Sequence, residues 1–416
     1  MIVRFTLTRH VLMINQYYPP DLASTGQIMA EVCTTMAQKG IEVRVVAGQP
    51  SYSSAAERAP WVEVRDGVQI HRVYIGGWSG RERMWRRVTG YATFLAGAFR
   101  LATTLTRRYR PDIVVTFHNP PFVGLLGAHL SRVLGTPFVY ILYDIHPDVL
   151  VATRSFWFPA PIVWLWDTIH RRILTKATAV IVLTEAMRST IIQKGVLPER
   201  VHVVPLWGRP EIPPEASDKE ARRDLNLPEQ GFVALYAGNM GVMHPVEPIL
   251  EAAGRLKDTN AHFVFLGEGV RRESVQLRIS RDRLSNVHLH PYQPEERFVR
   301  FVLASDVCIV ALDRGVEHLA VPSRTYTFLS AGKPILAVMS ADSEIGALIR
   351  ETSCGWVAGT ANDIEVTIRR LVEDRREIQR AAEASWHVYR ERFRRELALS
   401  SYLRILGGEL QHAVPP

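Results

Sequence analysis

Cysteine is almost missing from this sequence: 416 residues hold three, Cys33, Cys308 and Cys354, far apart and with no C-x-x-C pair. That spacing argues against a disulfide framework or a cysteine metal site and fits a reducing compartment. Long apolar runs are missing as well. A membrane span needs about 18 consecutive apolar residues, and the nearest stretch, VTGYATFLAGAFRLATTL, is interrupted by Arg100 and by threonines. The first twenty residues, MIVRFTLTRHVLMINQYYPP, carry Arg4 and Arg9 but no apolar run of signal-peptide length, so VLMIN reads as a first buried strand behind a nine-residue extension. There is no G-x-x-x-x-G-K-[ST], no G-x-G-x-x-G, no helix-turn-helix, zinc-finger or RNP-like pattern and no short-period repeat.

Apolar residues make up 47% and charged residues 22%, the composition of a globular protein long enough for two cores. The net charge of +8 is unevenly spread. Residues 1–200 hold 23 Lys+Arg against 13 Asp+Glu, a net of +10, and residues 201–416 hold 27 against 29, a net of −2. A basic first half fits nucleic acid or an anionic membrane surface. Two stretches favour the membrane. Residues 81–110, with Arg83, Arg86 and Arg87, contain eight arginines and one acid around an apolar helical stretch. SFWFPAPIVWLW, residues 155–166, brings five aromatics, including Trp157 and Trp164. The alternative is that these aromatics pack a core and the arginines solvate one face.

Short β-branched runs alternate with helical patterns: VLMIN, VRVVA, DIVVTF, FVYIL, AVIVL and VHVVP in the first half. The first helix, STGQIMAEVCTTMAQKG, has Ser24 or Thr25 as its N-cap and Gly40 as its stop. Prolines and charges cluster over residues 205–229 as a linker does. The alternation resumes with FVALYAG, AHFVFLG, NVHLH, DVCIVAL, PILAV and GWV. This is an α/β protein with two doubly wound, Rossmann-like parallel-sheet halves, and the turns after the strands are where ligands bind.

Those turns carry the chemistry. AGNMGVMHP (237–245) is a strand-glycine-helix turn suited to an anion, or an ordinary connection; it has no Lys or Arg of its own. In VPSRTYTFLSAGKP, Ser323 can cap a helix whose first turn holds Arg324 and Thr325, placing a bidentate cation beside free N–H donors. Glu317, just upstream, suits sugar hydroxyls. His118 follows DIVVTF and either donates to a ligand hydroxyl or caps its own turn. Asp144, His146 and Asp148 in YDIHPDV invite a metal but lack a metal motif's context. Tyr17 and Tyr18 in NQYYPPDLASTGQ are packing residues or substrate contacts, and Gly26 at a helix start is compatible with an anion.

Taken in order, NQYYPPDLASTGQ, YDIHPDV, VLTEAMRSTIIQKGVLPERVHVVPLW, YAGNMG, LGEG and VPSRTYTFLSAGKPILAV resemble the family 4 glycosyltransferases, in particular the bacterial branch that builds O-antigen and exopolysaccharide repeat units, over residues 10–395. The resemblance implies a GT-B fold: an N-terminal acceptor-side domain (1–205), a C-terminal nucleotide-sugar domain (206–384) facing it across a cleft, and a C-terminal helix (385–416) returning to the first. It implies transfer of a sugar from a nucleotide diphosphate sugar to a hydroxyl, with retention and without a metal or other cofactor. The acceptor it suggests is a lipid-linked saccharide, met by an enzyme held peripherally on the inner face of the membrane. Carried over by position, Gly238, Asn239 and Gly241 face the diphosphate with Arg324; Glu268 and Tyr292 lie near the nucleoside; Gly26 closes over the donor; His118 and Asp144 stand near the transferred sugar and acceptor. The sequence departs from the pattern at Val242 and His244, where many relatives have Arg and Lys, and at Thr327, where a ribose-binding Glu is common. A GT-B sugar-nucleotide epimerase and a non-catalytic membrane-bound scaffold are the alternative functions.

Overall fold

A computed structural model of the chain describes residues 9–21, 23–51, 58–76, 84–153, 159–214 and 220–407, with residues 84–87 described as backbone only. Two compact units result. The first comprises the chain to Pro147, Phe158–Val204 and the chain from Leu399; the second comprises Asp148–Trp157 and Pro205–Ala398.

Among the described residues the first unit is built on eight strands: β1 (His10–Ile14), β2 (Glu42–Gly48), β3 (Val62–Arg65), β4 (Val68–Val73), β5 (Ile113–Phe117), β6 (Phe138–Ile141), β7 (Ala179–Val182) and β8 (Val201–Val203). Their order is β3-β4-β2-β1-β5-β6-β7-β8. Among the described strands only β3 and β4 pair antiparallel. Every residue of β5, β6 and β7 is buried, which is why these strands read as unbroken apolar runs: helices cover both faces of a parallel sheet. The helices between these strands include α1 (Ser24–Gln38), α2 (Met84–Arg108), α3 (Val123–Leu134), the short α4 (Asp148–Ala152), which groups with the second unit, and α5 (Ala160–Lys176).

The second unit has six strands, β9 (Phe232–Ala237), β10 (Ala261–Leu266), β11 (Val287–His290), β12 (Val307–Ala311), β13 (Ile335–Val338) and β14 (Gly355–Val357), all parallel in the order β11-β10-β9-β12-β13-β14. The order reverses beside β9. The turn after β9 therefore lies at the switch point, where an open α/β sheet leaves room for a ligand.

Three local features differ from the sequence reading. Strands β3 and β4 form a hairpin that the apolar runs do not announce; its turn is Asp66-Gly67, both at positive φ (51° and 78°), the two-residue turn that matches strand twist. Strand β3 is an exposed edge, so it lacks the apolar pattern of the buried strands. Helix α1 begins at Ser24 with Ala23 at the capping position; alanine has no side-chain acceptor to cap with, and the Ala23 carbonyl accepts from the amides of Gly26 and Gln27. The C-terminal segment is not one helix: Arg375–Val388 passes into a π-helical turn, Tyr389–Phe393, and then Arg395–Leu406, with Arg394 extended (ψ 144°) between them. Only from Leu399 does this chain group with the first unit, where the Tyr402 and Tyr143 hydroxyls meet at 3.1 Å.

Candidate active site

In the first unit the chemistry gathers at the carboxyl ends of β5 and β6. His118, directly after β5, is almost fully buried. Its Nδ1 accepts the Tyr143 amide at 3.2 Å, so the neutral ring carries its proton on Nε2, which stands 3.2 Å from Asp144 Oδ2 and 3.1 Å from Asn119 Nδ2. The Asp144 carboxylate keeps about a third of its surface in solvent, so it has a wet face and a face oriented by an imidazole. That is the geometry of a carboxylate able to receive a hydrogen bond from a hydroxyl. His146 lies beside the pair, its ring 6.1 Å from that of His118. Among the described residues no three His, Cys, Asp or Glu side chains are grouped as metal ligands, Asp144, His146 and Asp148 included.

The first strand's loop has a structural logic. A Cβ on Gly26 would stand 2.8 Å from the Tyr17 carbonyl carbon, so glycine is what lets α1 pack on this loop. Tyr17 and Tyr18 are buried. The side chain that sequence reasoning passed over is Gln16: it is fully buried at the end of β1 and both of its amide atoms lack a hydrogen-bond partner.

In the second unit two glycine turns interlock. Gly238 N–H donates to the Leu266 carbonyl (2.9 Å), Met240 N–H to the Glu268 carbonyl (2.8 Å) and Arg271 N–H to the Met240 carbonyl (3.0 Å). Gly267, at φ 149°, is obligatory, because a Cβ there would lie 1.9 Å from the Gly238 oxygen. At Gly238 itself a Cβ would meet nothing within 4 Å, so one face of the turn is open. The amides of Gly241, Val242 and Met243 make no hydrogen bond to the described residues. The side chain of Asn239 folds over Gly241, and the Asn239 backbone carbonyl accepts from the Tyr236 hydroxyl at 2.9 Å. The cation at this turn is Arg271, which donates to the Gly241 and Val242 carbonyls (3.2 and 3.1 Å) and pairs with Glu247. Sequence reasoning missed it; the signal available was its position two residues past the LGEG turn. Glu268 carries its carboxylate 3.4 Å from Arg272, and Tyr292 is half exposed.

The helix Arg324–Ser330 has a different partner. Arg324 donates from Nη1 to the Arg209 carbonyl (3.1 Å) and lies over the Phe298 ring, 4.3 Å from its centroid. Thr327 Oγ1 accepts the Arg209 amide (3.0 Å) and donates to the Arg209 carbonyl (2.9 Å), while Ser330 Oγ accepts from Ile212 (3.1 Å). Thr327, where the family resemblance leads one to expect a ribose ligand, here clasps the chain's own linker. Ser323 does not cap: its backbone is helical (φ −58°, ψ −26°), whereas a capping residue needs an extended backbone for its hydroxyl to reach the next turn. Thr325 is fully buried and its hydroxyl lacks a partner. Glu317 is buried too, accepts the Ser340 amide, and has its carboxyl pushed up by that burial.

Arg83 and Trp157 lie outside the described residues, and Arg86 and Arg87 are seen only as backbone in α2. One face of α2 is core, with Phe94, Ala98 and Ala102 fully buried. On α5, Trp164 is 69% exposed, with Ile162 and Leu165 beside it, whereas Trp166 turns inward onto Phe122 at 5.1 Å. No described helix is long and apolar enough to cross a membrane.

Comparison with known proteins gives the family. The model of the glycosyl transferase 4-like domain matches residues 25–207 and that of glycosyl transferases group 1 matches residues 217–386. The probable glycosyltransferase WbjE of Pseudomonas aeruginosa is 29% identical over 67% of this chain and 69% of its own length. The putative colanic acid biosynthesis glycosyl transferase WcaI of Escherichia coli is 24% identical over 81% of this chain and 85% of its own. Among solved structures, Anabaena HepE in complex with UDP-glucose superimposes with a TM-score of 0.70 at 13% identity, covering 95% of this chain and 99% of that one. The chain belongs to the family 4 glycosyltransferases, with the GT-B fold and its two Rossmann-like units. It is a glycosyltransferase.

Proposed function

We propose that the protein transfers a sugar from a nucleotide diphosphate sugar to a hydroxyl of a lipid-linked saccharide, with retention at the anomeric carbon and without a metal. The carrying observation is the turn after β9, whose open glycine face and unbonded amides at Gly241, Val242 and Met243 suit the diphosphate's oxygens. Fixed N–H dipoles stabilise a leaving diphosphate as its charge develops, the task metal-independent transfer sets the protein. The likeness to HepE, solved with UDP-glucose, supports a donor of this class. Arg324 is the second element of the donor site, with Glu268 and Tyr292 toward the nucleoside, in a domain spanning residues 206–384. His118 and Asp144 serve the acceptor hydroxyl in a domain spanning residues 1–205.

The exposed Ile162, Trp164 and Leu165, on the unit whose sequence carries the basic excess, support peripheral attachment to an anionic bilayer. Calorimetry with UDP and GDP, followed by product analysis with nucleotide sugars and a lipid-linked acceptor, tests the whole reading. Binding of neither nucleotide, or release of free sugar with no acceptor product, would refute it.

A further inference from the structure

Helix α5 brings a third histidine to the acceptor side. His170 is buried, its ring edge-on to Tyr140 at 6.0 Å, and its Nδ1 is out of solvent with no hydrogen-bond partner among the described residues. It lines a cavity of about 10 Å³ together with His118, Asp144, His146 and Trp166. That volume holds about one water, and a buried water needs two to four polar partners. The nitrogens of His118 are already committed, Nδ1 to the Tyr143 amide and Nε2 toward Asp144. A buried imidazole nitrogen without a partner is a costly arrangement, and an ordered water relieves that cost.

We propose that His170 is a positioning residue for the transfer: through a single water held in this cavity, it orients the Asp144 carboxylate for the acceptor hydroxyl. The inference rests on the reading of Asp144 as an acceptor-side group. The surroundings keep His170 a neutral hydrogen-bonding group. Burial lowers its pKa to about 3, aided by Lys194 and His146 and opposed by Asp167. Asp167 is itself engaged by Lys194 and Arg171, both at 2.6 Å, so its charge is largely spent before it reaches the ring. A neutral imidazole meets such a water through Nδ1 alone, as donor or as acceptor according to its tautomer.

The test uses the full chain with donor and acceptor. His170→Phe keeps the ring's bulk and removes its nitrogens; His170→Gln returns a donor and an acceptor. The phenylalanine variant is expected to lower kcat about ten-fold, the worth of one hydrogen bond, with the donor KM unchanged. Its acid limb in the pH profile should move to higher pH, because the carboxylate loses a donor that favours its charged form. The glutamine variant should recover part of both effects. A purely structural role would lower activity without moving the limb, and an unmoved limb overturns the proposal. A high-resolution crystal structure provides a test independent of how the variants fold: an ordered water bonded to His170 Nδ1 supports the proposal, and a dry cavity overturns it. Asp144→Asn separates the two levels. Full turnover in that variant removes the acceptor-side reading itself, whereas its inactivity beside an unaffected His170→Phe removes only the role of His170.

Discussion

Gly238→Ala separates the binding role proposed for the turn after β9 from its structural role. The added methyl meets no protein atom within 4 Å, and the residue's φ is not in the left-handed region. Such a change should leave the fold intact or stabilise it by about 0.4–1 kcal/mol, by restricting the unfolded chain. The same methyl stands on the open face proposed for the diphosphate. Losing one hydrogen bond to a charged group costs about 1.5–3 kcal/mol, so the donor Kd should rise roughly ten- to a hundred-fold. Gly267→Ala is the counter-case: its methyl would lie 1.9 Å from the Gly238 oxygen, and that clash is with backbone, which cannot swing aside. It should lower Tm, since the interlocked turns must part. Calorimetric titration with UDP and GDP, beside thermal unfolding of both variants, reads the two effects separately. A Gly238→Ala protein that unfolds like the wild type and also binds nucleotide like the wild type would refute the placement of the diphosphate.

Arg324→Ala should weaken nucleotide diphosphate binding, and Arg324→Lys should fall between, keeping charge but losing the planar fork; unchanged affinity in calorimetry of the alanine variant would remove Arg324 from the site. Activity should survive excess EDTA, and its loss with rescue by Mg²⁺ or Mn²⁺ would restore the metal reading of Asp144, His146 and Asp148. Flotation with vesicles should require anionic lipid, weaken with salt, and fall in Trp164→Ala and in the triple change of Arg83, Arg86 and Arg87 to Glu; equal recovery with neutral vesicles would reject this attachment. Because the folded state lowers the pKa of His170, its contribution to stability is present above the unfolded value of 6.5 and is lost as pH falls from there toward about 3. Urea unfolding at neutral and mildly acidic pH should therefore show a smaller pH dependence in His170→Gln than in the wild type, and an equal dependence would contradict that burial effect.

Much of the architecture was legible without coordinates. The strands from β1 to β14, apart from β3 and β4, coincide with apolar runs, because a strand covered on both faces of a parallel sheet has little reason to carry a polar residue. The proline- and charge-rich stretch after β8 marks the passage into the second unit, and glycines mark the turns where backbone meets backbone. The pairing of the first sheet's edge was not legible, since β3 is exposed and its local signal is only a turn dipeptide. Nor was the choice of partners. Arg271 reaches back to Gly241 and Glu247, Thr327 clasps Arg209, and His170 joins His118 and Asp144 around one cavity. Local pattern sets which face of an element is apolar. Which polar side chains meet depends on the order of the strands and the rotation of each helix against its sheet, and those are settled only when all the buried faces are packed together.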